Sequence, residues 1–117
     1  MKSLTAHDKP GFYIYAFHAG DVVKVGYSTN LKRRQAAIKC ALGSAVLIYV
    51  LQLNHRWEMI GAERSILAGL SRIKIKGEIF RFVPSIKTRL QYQARKFDRQ
   101  YRKFYQPDAV VRVRAMQ

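Results

Sequence analysis

Tyr13 and Tyr15 stand two residues apart in an aromatic, β-favouring run over residues 12–17, so on a strand both phenols point to one face. Turn-like residues 18–21 follow, and residues 22–26 read as the returning strand of a hairpin. A short turn through Ala19 and Gly20 sets Lys24 and Gly26 beside the tyrosines. Two phenols and an ammonium then gather at a gap left by a glycine; simple packing, with Lys24 snorkelling outward, is the plain alternative. Farther on, Arg34 lies close to the helical stripe of Leu31, Ile38 and Leu42, whereas Arg33 lies on the far side. Arg34 is therefore expected to lean inward. A planar guanidinium there suits a phosphate, and a half-buried pair with Glu58, Glu63 or Glu78 would serve as well. Glu63 falls near the middle of a stripe made by Met59, Ile60, Ile66, Leu67 and Leu70, where an uncompensated carboxylate is costly. A salt bridge to Arg34 or a divalent cation would compensate it. One carboxylate with waters and a substrate phosphate suits Mg²⁺, which keeps much of its hydration shell.

The elements that must hold these groups are legible in outline. Residues 1–10 form a polar lead-in ending at Pro10, and structure is expected from Gly11. Ser28, Thr29 and Asn30 are all N-cap types, so residues 31–42 form a first helix that Gly43 stops. The continuous apolar run over residues 46–53 predicts a central strand buried on both faces. A second helix spans about residues 55–70, a short basic loop covers residues 72–77, and residues 78–83 alternate up to Pro84 as a strand or an irregular edge. Ser85 can cap a third helix reaching about Tyr105. It carries Ile86, Leu90, Phe97, Tyr101 and Phe104 on one face, with Arg89, Arg95, Lys96, Arg99, Arg102 and Lys103 opposite. After Pro107, residues 110–114 alternate as an edge strand or arm. These elements predict an α/β (α+β) fold: a small, mainly antiparallel three-stranded sheet flanked by helices, with a basic C-terminal helix.

The chain has 117 residues, the size of one domain, with 22 Lys and Arg against 7 Asp and Glu, a formal charge of +15. Such a surplus repels itself unless a polyanion offsets it, and nucleic acid is the natural partner; a solvated basic surface is the bland alternative. Cys40 is the single cysteine, which excludes an intramolecular disulfide and a cysteine-based zinc site and fits a reducing, cytoplasmic setting. No run approaches the roughly 20 apolar residues needed to span a bilayer, and no cleavable apolar core is expected at the start. The aromatic face of the basic third helix has a core to cover, which argues against its lying on a membrane. His7, His18 and His55 lack metal-ligand spacing, Trp57 is expected in the core or a groove wall, and P-loop and Rossmann glycine motifs are absent.

The order of these residues resembles the GIY-YIG endonuclease superfamily. Gly11-Phe12-Tyr13 is similar to its GIY element, and Lys24-Val25-Gly26 to YIG with the Tyr replaced by Lys. Ser28, Asn30, Leu31 and Arg34 fit the GxSxNLxxR pattern that follows, and Glu63 stands where the superfamily keeps its metal-binding Glu. Gly77-Glu78-Ile79-Phe80 resembles the late GEWF motif of a phage and bacterial branch that has KIG for YIG, so the likeness covers about residues 11–82. Leu67 stands where that branch often has His, and the superfamily's late Asn has no clear counterpart.

The resemblance implies a nuclease core over residues 11–83, with the basic helix and arm of residues 84–117 packed on the same domain. It further implies hydrolysis of DNA phosphodiesters with Mg²⁺, or Mn²⁺ in its place. In that scheme Glu63 holds the metal and Arg34 neutralises charge in the transition state. Tyr13 activates the attacking water or receives its proton, while Lys24 lowers the phenol's pKa or positions that water. Tyr15, Gly26, Ser28, Asn30 and Glu78 support the pocket. Lys32, Arg33, Arg95, Lys96, Arg99, Arg102 and Lys103 would contact DNA. A catalytically inactive binding module on the same scaffold is the alternative. One site cuts one strand, so a monomer would nick, and a double-strand break needs a homodimer or a second visit.

Overall fold

In the computed structural model, which describes residues 9–100 and the backbone of residues 101 and 112–115, the chain begins with a hairpin. Strand β1 (Phe12–Ala19) turns back into β2 (Val22–Ser28). Gly20, with φ +63°, takes the first position of the two-residue turn, a conformation that costs glycine nothing. Helix α1 (Leu31–Leu42), β3 (Val46–Leu53) and α2 (Arg56–Gly69) follow. A short 3₁₀ turn then leads to β4 (Lys74–Lys76), β5 (Ile79–Arg81), α3 (Ile86–Tyr101) and β6 (Arg112–Ala115).

The fold class is α+β, as expected, but the sheet has six strands rather than three. They run in the order β4-β5-β2-β1-β3-β6, and every neighbouring pair is antiparallel. The basic stretch expected to be a loop contains β4, whose three residues are all exposed. A strand with no buried face leaves no alternation to read, and this one exists through pairing with β5 about Gly77, at φ +56°. The run over residues 46–53 is a strand with the expected bounds, yet β1 takes the middle, between β2 and β3. Burial on both faces made β3 apolar throughout, and that is equally true one place from the centre.

Two cores cover the sheet. On one face Ile14, Ala16, Val23, Val25, Tyr49 and Leu51 pack against α2 and α3 through Met59, Ile66, Leu90 and Phe97. On the other, Tyr13, Tyr15, Phe17, Leu47 and Val50 pack against Leu31 and Ile38 of α1. The register of β1 with β3 shifts between Ala16 and Phe17, so Ile48 is an extra residue on β3. That bulge puts Leu47 and Val50 on the same face despite their odd spacing. Leu42, expected in the α1 stripe, is exposed beyond this core. Among the described residues no helix is long and apolar enough to cross a membrane.

Candidate active site

The hairpin register pairs Tyr13 with Ser28, Tyr15 with Gly26 and Phe17 with Lys24, so the tyrosines, Lys24 and Gly26 share a face as expected. The space over Gly26 is taken up by its neighbours. A Cβ built there would lie 2.6 Å from the Tyr15 hydroxyl oxygen and 3.2 Å from Oε1 of Glu78. Glu78 arrives from the β4–β5 turn, where its carbonyl also accepts a hydrogen bond from the Val25 amide. Its carboxylate forms an ion pair with the Lys24 ammonium.

Glu63 joins this group from α2. It is only 8% exposed, and its carboxyl is hydrogen-bonded to that of Glu78, while its Oε2 is buried with no hydrogen-bond partner among the described residues. Burial, then the Glu78 hydrogen bond and charge, push the pKa of Glu63 up to about 7, against the lowering pull of Lys24 and Arg64. Two adjacent carboxyls with one orphaned oxygen fit a divalent cation, which would replace the shared proton. Among the described residues no three His, Cys, Asp or Glu side chains gather, so such a cation would draw its other ligands from water and phosphate, as Mg²⁺ does. The Glu63–Arg34 salt bridge considered from the sequence is not formed among the described residues; the Glu78 contact takes its place.

Two expectations are corrected in detail and a third is narrowed. Arg34 does not lean inward: it is exposed, because only Leu31 and Ile38 of its stripe are buried. Its charge nonetheless reaches Tyr15, whose pKa it lowers against the larger effect of burial. Lys24 does not lower the pKa of either phenol. Its ammonium faces Glu78, and burial raises Tyr13 and pushes Tyr15 up to about 12, with Glu78 and Glu63 adding to the latter. Both tyrosines are therefore neutral hydrogen-bonding groups at pH 7. Tyr13 donates to the Lys9 carbonyl at 3.0 Å, so Tyr15 is the phenol set among the acids. Trp57, finally, is exposed and so outside the core, which leaves the groove wall of the two places expected for it; its ring stacks beside His55, while His18 stacks on Phe82.

Ser28 and Asn30 shape the passage into α1. The Ser28 hydroxyl accepts from the Asn30 amide at 2.9 Å, and Asn30 Oδ1 caps the helix by accepting from the Arg33 amide at 3.0 Å. Lys32, Arg33, Arg95, Lys96 and Arg99 are all exposed, the last three on the outer side of α3; Arg102 and Lys103 lie outside the described residues. Sequence reasoning missed Tyr27 and Arg56, which line one open cleft with Arg33 and Arg34. An exposed Tyr on a strand and an Arg opening a helix carry no periodic signal that would single them out. Comparison of the chain with protein-family models, curated proteins and solved structures found no match.

Proposed function

We propose that this protein is a Mg²⁺-dependent DNA endonuclease that cuts one strand at a time, with a centre built from Tyr15, Lys24, Arg34, Glu63 and Glu78. The observation that carries the reading is the buried Glu63 carboxyl, set against Glu78 with one oxygen unpartnered among the described residues, beside the Tyr15 hydroxyl that packs closely over Gly26. The net charge of +15 supplies the attraction to a polyanion. The order of motifs from Gly11 to Phe80, which resembles the GIY-YIG superfamily, supports the same reading.

Glu63, with Glu78 beside it, would hold the cation. When bound, that ion neutralises phosphate charge and eases departure of the leaving oxygen. The chain's own residues do the rest. Neutral Tyr15, with Tyr13 one step along the face, orients the attacking water by hydrogen bonding. The water oxygen bonds to phosphorus as the bond to the leaving sugar oxygen breaks, and the water's proton passes to Glu78. Lys24 steadies the resulting charge distribution, and the Arg34 guanidinium offsets charge building on the phosphoryl oxygens.

The test is nicking of supercoiled plasmid by purified protein with Mg²⁺ or with EDTA. Glu63→Gln should lower the rate by a factor on the order of 10² to 10⁴, the usual range for removing an essential polar group. Undiminished cutting by Glu63→Gln would defeat the assignment. Tight, salt-dependent binding with no Mg²⁺-dependent turnover would instead identify a binding module on the same scaffold.

A further inference from the structure

We infer that the cleft between the β2–α1 junction and the start of α2 is a second phosphate site, which holds a backbone phosphate next to the one at the Tyr15–Glu63–Glu78 centre. The cleft encloses about 330 Å³ and is lined by Tyr27, Ser28, Asn30, Arg33, Arg34 and Arg56 among others, with no acidic side chain among the described residues. That volume lies at the small end of ligand pockets, which run from about 300 to 1,000 Å³, and suits a phosphate with its sugar. Three exposed guanidiniums converge on it, and none pairs with a carboxylate among the described residues. Gathering like charges without a counterion is unfavourable, and an anion relieves it.

Two further features point the same way. The positive end of α1 opens here, its first turn carries no acidic residue, and the Asn30 side chain takes up only the Arg33 amide. Arg34 belongs to both places: it lines this cleft and acts on Tyr15 in the neighbouring centre, so one strand can lay consecutive phosphates across it. Tyr27, 39% exposed, offers its ring to the attached sugar or base. Arg56 is steadied over the Phe12 ring at 6.0 Å.

The occupant's identity as a DNA strand rests on the proposed function, so the test reads binding apart from cutting. Anisotropy of a fluorescein-labelled DNA duplex is titrated with the full chain in EDTA over a range of salt. The double variant R33Q/R56Q should flatten the dependence of log Kd on log salt by about 1 to 2 units, since each lost phosphate contact removes about 0.9. Affinity at low salt should fall about tenfold or more. Tyr27→Ala should weaken binding without changing the slope. The control K39Q/K74Q removes the same charge elsewhere on the exposed surface and should change the slope by less than half as much. Equal effects of the two charge-removing pairs would overturn the cleft assignment, even if plasmid nicking stands. The expected pattern from a chain that never nicks would uphold the cleft and overturn only the nuclease.

Discussion

Burial and the adjoining Glu78 carboxyl raise Glu63 from an ordinary 4.5 to about 7, so the folded chain binds that proton more tightly than the unfolded chain does. The resulting stability is whole below about pH 4.5 and is lost as pH rises through 7. In EDTA, the wild-type protein should lose on the order of 2 kcal/mol more than Glu63→Gln between pH 4.5 and 8, since one pKa unit corresponds to about 1.4 kcal/mol. Thermal melts across that range measure the difference; parallel curves would contradict the raised pKa. Because a cation and the proton compete for the same carboxyls, Mg²⁺ should stabilise the wild type more at pH 8 than at pH 6. At Gly26 the constraint is steric. A methyl there meets the Tyr15 hydroxyl at 2.6 Å and its ring carbon Cζ at 2.9 Å, and Tyr15 is fully buried. Gly26→Ala should cost about 1–3 kcal/mol by overpacking in urea denaturation, and should slow nicking by displacing the phenol or Glu78.

At the level of elements, the junction between β2 and α1 couples stability to the site. Asn30 caps the helix that carries Arg33 and Arg34, so Asn30→Ala should cost about 1 kcal/mol in denaturant unfolding. It should also weaken DNA binding, because the same turn shapes the arginine cleft. A variant that binds DNA as the wild type does would show that the cap is structural only. The β4–β5 hairpin plays the matching part for Glu78. Gly77 sits at φ +56° with open space where a Cβ would go, so Gly77→Ala is strained by backbone conformation alone. About 1 kcal/mol is expected from urea melts, with a loss of activity larger than that loss of stability explains, since the turn aims the carboxylate that pairs with Lys24.

Over the whole molecule the governing quantity is charge. A surplus of +15 on 117 residues, with Arg95, Lys96 and Arg99 exposed along the outer side of α3 and Arg33, Arg34 and Arg56 around the cleft, makes a broad positive surface. If six or more phosphates are neutralised, affinity for DNA should fall by about 10³-fold or more between 50 and 200 mM salt. Anisotropy titrations read this directly. A weak salt dependence would mean that the surplus serves solubility instead.

Local rules determined much of this protein. Period-two alternation and a two-residue turn fixed the β1–β2 register and put Tyr13, Tyr15, Lys24 and Gly26 on one face. Capping and glycine signals set the bounds of α1, and an unbroken apolar run set those of β3. These features depend on steric and periodic preferences within a dozen residues, so they can be read from a string. Tertiary structure alone decided that Lys24 turns to Glu78 rather than to a phenol, that Glu63 meets Glu78 rather than Arg34, and that Tyr27 and Arg56 close a cleft with Arg33. It also decided that exposed residues 74–76 form a strand and that β1, not β3, lies at the middle of the sheet. Each of these pairings joins side chains or strands far apart along the chain, and packing, which no local pattern encodes, chooses among the partners available.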